Sequence, residues 1–496
     1  MQDKQSAATI SKGTAWLTFN QLIFMGTSYL TYMVLARILG AALFGVYGVV
    51  IGLVTVLTMV LITGTQQVVA KFISETPEQA EEIKKKAFQL QLIFAGSITI
   101  IYFALSPLIA YLLHDATLMQ YIQLSALIIL FHSLFSVFMG YFNGLKKFKQ
   151  QALYTACYHF VRMLLTIGFV FLGYKVFGAI TAFVIASFLF FTVCLIFIGF
   201  KKEKNELKNS QNKNLNTAKT ITTKRFITFT IPIMLSTIVL YLIMNIDLFL
   251  IKALSATTTA NQLAGYYTAV QTIARIPYFL VAALPVVLFP LVSNTTFREN
   301  SEKTKYYMER GIRYTLLIII PLAAMLAATA KQILPLLYSQ EYAVGSTTLF
   351  ILVFGMALLA FFTLLTTYIA SANKPNTAFL LSTITLAITI VLNYILIKKY
   401  SIEGAAVATT IALLIGTIIA MIYIYRKYNT CIPINSFAKI LYAAIIMYIV
   451  AWFIPWKGYL LIGEYGILAA IYLAILYLSK EINDEDKNIM KRFMGI

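Results

Sequence analysis

Long apolar segments separated by short polar ones follow one another along the whole chain. An α-helix crosses a hydrocarbon core with about 17–25 residues, and each apolar segment is long enough to do so. The pattern predicts fourteen membrane-spanning helices, numbered here as spans 1–14. They cover residues 14–36, 44–66, 88–113, 118–141, 152–173, 177–200, 226–251, 265–293, 312–337, 346–370, 377–397, 404–425, 438–454 and 463–479. An all-α polytopic membrane protein is therefore expected.

Three short motifs recur in the same order in the two halves of the chain. LARILG followed by GVY returns as LIKALS followed by GYY, and GLK and GAITA return as ANK and GAAVA. Such duplication is typical of transporters whose two halves open one cavity alternately to either side of a bilayer. The repeat predicts six-helix lobes at 1–200 and 226–425, a basic cytoplasmic linker at 201–225, and spans 13 and 14 with a cytoplasmic tail at 426–496.

The distribution of charge predicts the orientation in the membrane. The chain has 39 Lys and Arg against 19 Asp and Glu, a net charge of +20. With the N-terminus inside, 30 of those 39 lie in cytoplasmic segments, six in external loops and three in helices. The positive-inside rule then places both termini in the cytoplasm, with the chain in the cytoplasmic membrane. This charge faces lipid headgroups, and no folded basic domain for nucleic acid is expected.

The sequence contains neither a cysteine cluster nor a nucleotide-binding motif. Cys157, Cys194 and Cys431 are far apart and mostly within apolar segments, so neither a disulfide framework nor a metal site is expected. The chain carries no Walker motif. We therefore expect no cofactor, and a driving force that comes from an ion gradient or the membrane potential.

Basic side chains within the predicted spans are the strongest functional signal. Arg162 falls near the middle of span 5 and Arg275 about a third of the way into span 8. A charge at the centre of a lipid-facing helix costs about 3 kcal/mol, so both are predicted to face a cavity. Tyr154 and Tyr158 precede Arg162 at four-residue spacing and His159 lies three residues before it, which places a polar and aromatic stripe on one face.

The sign of the charges points to an anionic substrate. Spans 1–6 contain no Asp or Glu, and Arg37 and Lys252 add positive charge at the predicted outer rim of the cavity. Guanidinium groups suit phosphate and diphosphate through paired hydrogen bonds. Asp247, near the outer end of span 7, is expected to pair with Lys252, and structural and functional roles stay open for it.

His132, His159 and Asp247 are the candidate sites for coupling transport to H⁺ or Na⁺. For the two histidines, the alternative is a hydrogen-bonded packing role. Prolines also interrupt spans 8 and 9, where each frees a backbone carbonyl that neighbours or water must satisfy. Static kinks and points of flexibility are both open interpretations of these prolines.

Several segments together resemble a known transporter family. They are LARILG with FGVYG after span 1, Asp247-Leu248-Phe249-Leu250 closing span 7, and AGYYTAVQTIARIP leading to LFPLVS in span 8. They resemble the polysaccharide-export branch of the MOP exporter superfamily, which contains the Wzx-type oligosaccharide-lipid flippases and is related to MATE drug exporters. The resemblance covers most of residues 10–425.

The resemblance implies a MOP/MATE-like fold, with two six-helix lobes around a cavity that turns a polyprenyl-diphosphate-linked glycan to the outer leaflet. Family cavity cations are matched by position at Arg37 and, more loosely, Arg275, and the family's acidic residue is matched by Asp247. Arg162 is inferred from depth and face alone. The implied partners are the lipid-linked glycan and membrane lipids, with glycosyltransferases or a polymerase of the same pathway as candidates.

Two rival functions make different demands on the sequence. A MATE-type antiporter of drugs and organic cations needs carboxylates in its cavity, and spans 1–6 offer none. A membrane glycan polymerase or ligase needs paired acidic or basic groups on an external loop. The external acidic residues instead lie singly on short loops, at Asp115, Glu341, Glu403 and Glu464. The sequence therefore favours a flippase over an antiporter, and a transporter over an enzyme with catalytic residues.

Overall fold

The computed structural model describes residues 2–199, 223–297, 300–453, 456 and 458–481. These residues form helices and connecting turns, and no β-strand occurs among them. The α-helices are α1 Gln2–Glu75, α2 Ala80–Ala104, α3 Ser106–Leu112, α4 Leu118–Gly144, α5 Phe148–Phe169, α6 Lys175–Cys194, α7 Thr223–Leu254, α8 Ala260–Ala274, α9 Ile276–Val281, α10 Ala283–Phe297, α11 Ser301–Ala328, α12 Ala330–Leu337, α13 Ser346–Ser371, α14 Pro375–Tyr428, α15 Ile434–Phe453 and α16 Leu460–Leu478.

All fourteen predicted spans have a helical counterpart. In the described part of the chain, ten helical segments are long and apolar enough to cross a membrane. Three of them contain two predicted spans each, divided at Gly40, at Gly173 and at Ser401, where φ is 70°, 90° and 51°. Predicted span 8 is formed by the three short helices α8–α10, which meet at Arg275 and Ala282.

The chain folds into two units, a first unit of residues 1–265 and a second unit of residues 266–496. Gly40 divides α1 into a first arm before it and a second arm after it. The first unit includes α7, because α7 packs along the second arm of α1. At this interface Gly52 lies so close to α7 that a Cβ there would stand 3.0 Å from the Phe249 ring. The predicted lobe boundaries stay a prediction, and residues 201–222 of the predicted linker lie outside the described residues.

Two glycines of the repeated motifs meet in the first unit. A Cβ on Gly45 would overlap the carbonyl oxygen of Asn261, and a Cβ on Gly265 would overlap the carbonyl oxygen of Ala41. The arrangement is reciprocal, since Ala41 lies four residues before Gly45 and Asn261 lies four residues before Gly265. Glycine is required at both places because only it allows two helix backbones to approach this closely.

The backbone repeats where the sequence does. Lys175, at the start of α6, and Ser401, within α14, share an unusual conformation, with φ and ψ of 49° and −137° against 51° and −131°. Lys146 and Asn373, at the ends of α4 and α13, both adopt positive φ, at 58° and 62°. The GLK and ANK motifs align Lys146 with Lys374, so the structure moves this alignment by one residue.

In the second unit, α16 satisfies a backbone carbonyl that a proline leaves free. Pro321 lies inside α11 and has no N–H to donate to the carbonyl of Leu317, four residues earlier. The hydroxyl of Tyr472 on α16 donates to that oxygen at 3.0 Å. A second hydroxyl pair, Thr329 and Tyr465 at 2.7 Å, joins α16 to the break between α11 and α12. Span 14 therefore stabilises a proline-containing helix of the repeat.

Candidate functional site

Arg162 is half-buried on α5 in the first unit. Its Nη2 donates to the Ser28 hydroxyl of α1 at 3.2 Å. The guanidinium lies over the Phe183 ring of α6 at 4.8 Å and near the Tyr158 ring at 5.9 Å. No carboxylate pairs with Arg162 in the part of the chain that the structure describes. A guanidinium held only by a neutral hydroxyl and aromatic rings keeps most of its donors for an anion.

Two of the predicted coupling residues lie beside Arg162. The His132 ring of α4 is 4.8 Å from the Tyr158 ring, and the His159 ring of α5 is 5.1 Å from it. Phe24 of α1 covers His159 at 4.9 Å. The Nδ1 atom of each histidine is buried without a hydrogen-bond partner among the described residues. The structure thus brings three predicted site residues into one neighbourhood, which contains two buried imidazole nitrogens.

Lys252 does not pair with Asp247, so that prediction is wrong. Its Nζ instead donates to Asp115 Oδ2 at 2.8 Å and to the side-chain oxygen of Asn261. Five residues along a helix turn through about 500°, which places Lys252 and Asp247 on different faces of α7. Asp247 is fully buried, and its Oδ1 accepts the N–H of Leu248 at 2.8 Å.

The partner of Lys252 comes from the turn between α3 and α4. Burial raises the pKa of the Asp115 carboxyl, but hydrogen bonds from Lys252, Thr117 and Asn261 and the Lys252 charge outweigh it and hold that pKa below its ordinary value. The side chains are 11% and 2% exposed for Asp115 and Lys252. The positive charge of Lys252 is thereby compensated within the first unit.

The remaining predicted cations occupy different settings. Arg37 is exposed on the first arm of α1, three residues before the division at Gly40. Arg275 belongs to the second unit, is half-buried, and occupies the break between α8 and α9 just before Pro277. A proline near the start of a helix suits such a break, since its missing N–H would be unsatisfied there in any case. A substrate-binding role for these two arginines stays a prediction.

The sequence interpretation missed a polar cavity at the end of the first unit that is predicted to face the cytoplasm. Its volume is about 680 Å³. The residues that line it are Gln66, Gln67, Ala70, Lys71, Ser74, Asn143, Gly144, Lys146 and Phe148. The available signal was the pair of adjacent glutamines near the end of an apolar segment, four and five residues before Lys71. Asn143, near the end of α4, lines the cavity from the other side.

A sequence model of the family described as polysaccharide biosynthesis protein matches residues 34–347. An uncharacterised membrane protein of Methanocaldococcus jannaschii is 26% identical over 152 residues, which are 31% of this chain and 30% of that protein. Agl15 of Haloferax volcanii, named as a probable low-salt glycan biosynthesis flippase, is 23% identical over 160 residues, 32% of this chain and 34% of that protein. The chain thus spans about a third of the length of these two relatives.

Solved structures show the same fold at low sequence identity. The lipid II flippase MurJ, in an inward closed conformation, has a TM-score of 0.74 at 18% identity and covers 98% of this chain and 99% of its own. An inward-facing multidrug resistance MATE family transporter scores 0.66 at 14% identity, covering 84% and 98%. A MOP superfamily transporter from Pyrococcus furiosus Vc1, described as having a binding pocket of reverse polarity, scores 0.63 at 16% identity, covering 84% and 96%. The predicted MOP/MATE-like membrane fold is confirmed.

Proposed function

This chain belongs to the polysaccharide biosynthesis protein family, and we propose that it is a flippase for a polyprenyl-diphosphate-linked oligosaccharide. The observation that carries the proposal is Arg162, a half-buried guanidinium with no carboxylate partner among the described residues. The flippase named among its relatives and the lipid II flippase with the same fold support it. The substrate moves from the inner to the outer leaflet of the cytoplasmic membrane by alternating access, with both termini in the cytoplasm.

A diphosphate fits the donors that Arg162 has available. The guanidinium carries five N–H groups in a planar fork, and Ser28 accepts from one of its nitrogens. Two phosphate oxygens can accept the others in a paired geometry, and the negative charge compensates a cation that is otherwise costly at this depth. Arg162 therefore holds the diphosphate, and Ser28 and the Phe183 ring orient the guanidinium.

The other predicted residues receive roles of their own in the proposal. Arg37 and Arg275 remain candidate contacts for substrate, whereas Lys252 is left out because Asp115 already compensates its charge. His132, His159 and Asp247 are the candidate residues for coupling to H⁺ or Na⁺. We propose no catalytic step for this protein. Glycosyltransferases or a polymerase of the same pathway supply or consume the glycan.

The test measures lipid-linked oligosaccharide in cells that lack the protein. Lipid extracts are analysed by mass spectrometry after restoring the wild type, Arg162→Ala, or Lys398→Ala as a matched variant whose lost charge is exposed. We expect polyprenyl-diphosphate oligosaccharide to accumulate in the deletion, and to disappear with wild type and Lys398→Ala but not with Arg162→Ala. Absence of any such lipid in the deletion would refute the flippase.

Export of organic cations is the alternative that the MATE structures raise. A cation-binding cavity needs negative charge, and the described neighbourhood of Arg162 provides only a hydroxyl, aromatic rings and imidazoles. The two functions are separated by growth on cationic dyes. We expect the same tolerance with and without the protein, and increased tolerance upon expression would favour the antiporter.

A further inference from the structure

Six polar side chains line the cavity of the first unit, and no carboxylate is among its lining residues. Lys71 also lies 4.0 Å from the Glu75 carboxylate, an exposed contact that contributes little. Gln66, Gln67, Lys71 and Ser74 lie on the second arm of α1, and Asn143 and Lys146 lie at the end of α4 and the turn after it. The adjacent glutamines interrupt an apolar helix, where polar side chains are costly without polar partners. Such a lining suits an anion better than an apolar ligand.

Close packing on the neighbouring face of α1 keeps this cavity open. A Cβ on Gly140 would stand 3.0 Å from Val69, and one on Gly144 would stand 2.6 Å from Ile73. α4 therefore contacts one face of α1 through glycines. The polar residues on the adjacent face of α1 line the cavity. Packing of α1 against α4 therefore forms two walls of the cavity.

The turn between α4 and α5 adds positive potential at the rim. The N–H of Lys147 bonds to the carbonyl of Phe142 at 2.8 Å, which closes the turn and holds Lys146 at φ 58°. α5 begins at the next residue, Phe148, and no side chain caps its first turn. Helix N-termini favour phosphate because their free N–H groups and dipole face it. Two lysines and this helix start therefore meet at one cavity.

The cavity and Arg162 lie at different depths along α5. Arg162 follows Phe148 by fourteen residues of α5, which is about 21 Å along a helix. A phosphate in the cytoplasmic leaflet lies at headgroup depth, near the start of α5, and cannot contact Arg162 from there. A diphosphate would need a cationic contact at headgroup depth before it moves deeper, because an uncompensated anion is costly in the bilayer.

We propose that this cavity is the first binding site for the phosphate groups of the prenyl-linked substrate, and that Lys71 and Lys146 hold them before they pass to Arg162. This inference rests on the proposed function and on the predicted orientation. The same phosphate chemistry occurs in bulk anionic phospholipid, so the experiment must separate the two sources.

The experiment measures binding of farnesyl diphosphate to the full chain in phosphatidylcholine nanodiscs. All variants carry Arg162→Gln, which removes the deeper site. The cavity pair is Lys71→Ala combined with Lys146→Ala. The control pair is Lys85→Ala combined with Lys149→Ala. The control pair removes the same charge from exposed lysines that do not line the cavity. Each charged hydrogen bond contributes about tenfold in affinity, so the cavity pair should weaken binding about 100-fold and the control pair less than about threefold.

Two results would overturn the assignment. Equal loss with the control pair would show that only bulk positive charge matters. Equal competition by phosphatidylglycerol, with the same dependence on the two lysines, would show an anionic-lipid site. The cellular lipid assay with the deletion and the wild type is run in parallel. If the cavity pair does not weaken binding but lipid-linked oligosaccharide accumulates in the deletion, the cavity assignment is wrong and the proposed flippase function is retained. If no such lipid accumulates, the flippase function itself is wrong.

Discussion

Two arginines, one in each unit, lie away from bulk water and differ in the partners of their guanidinium groups. Arg162 of the first unit bonds to the neutral Ser28 hydroxyl, and no carboxylate pairs with it within the described ranges. Arg313 of the second unit is 7% exposed, and its Nε donates to the Glu481 carboxylate at 2.7 Å. Lys439 adds a further contact to Glu481, at 3.6 Å.

This difference indicates that Arg313 has a structural role and that Arg162 can bind a ligand. The Arg313–Glu481 pair joins α11 to the segment after α16, and so fastens the last two spans to the second unit. Arg162 contributes no such ion pair, and its guanidinium is instead positioned by Ser28 and aromatic rings. Loss of Arg162 should therefore affect transport, and loss of Arg313 should affect stability.

The largest expected effect is on transport after Arg162→Ala. Removing two charge-assisted hydrogen bonds of about 1.5 kcal/mol each lowers the transport rate about 100-fold. The apparent Tm of the purified protein should fall by less than in Arg313→Met, since one neutral hydrogen bond and ring contacts are lost but no ion pair. Accumulated lipid-linked oligosaccharide and a thermal-shift assay measure the two quantities. Arg162→Lys keeps the charge and should retain part of the activity, and a large fall in Tm for Arg162→Ala would assign this arginine to stability.

The next effect is on stability after Arg313→Met. The buried Glu481 carboxylate then keeps only the longer contact with the exposed Lys439, at 3.6 Å, and loses its closest cation. This costs about 3 kcal/mol and lowers the apparent Tm. Arg313→Met combined with Glu481→Leu should recover most of this loss, because two apolar side chains leave no buried charge. If the double variant is less stable than Arg313→Met alone, the ion pair is not the source of the effect.

A smaller effect, with a pH dependence, follows Lys252→Met. The ion pair keeps the folded-state pKa of Asp115 low, so its stabilisation is present above the unfolded value of about 3.9 and is lost as the pH falls through the folded pKa. We expect a loss of about 2 kcal/mol at pH 7 that stays constant down to about pH 4 and shrinks only below it. Asp115→Asn is the matched variant, and a loss independent of pH would exclude Asp115 as the partner.

The smallest effect concerns a neutral contact, the hydrogen bond from Tyr472 to Leu317. Tyr472→Phe should cost about 1 kcal/mol because the carbonyl freed by Pro321 loses its donor. In a Pro321→Ala background the helix restores its own N–H to that carbonyl, so Tyr472→Phe should cost less. Unfolding of the four variants gives this double-mutant cycle, and additive costs would show that the proline and the tyrosine act independently.

Much of the site was predictable because its residues are close in sequence. Tyr158, His159 and Arg162 lie within one and a half turns of α5, so helical periodicity alone places them together. His132 lies on α4, and its position against Tyr158 at 4.8 Å depends on how α4 and α5 pack. The cavity at Lys71 and Lys146 was missed for the same reason, since its two walls meet only when α1 packs against α4.

The sequence by itself determined the fourteen spans and the internal repeat, because apolar length and helical spacing are local properties. Only the tertiary structure decided which charges compensate one another. Lys252 finds Asp115 across 137 residues, and Arg313 finds Glu481 across 168. Such pairs form through helix packing between distant segments, and the spacing of residues along one helix carries no information about them.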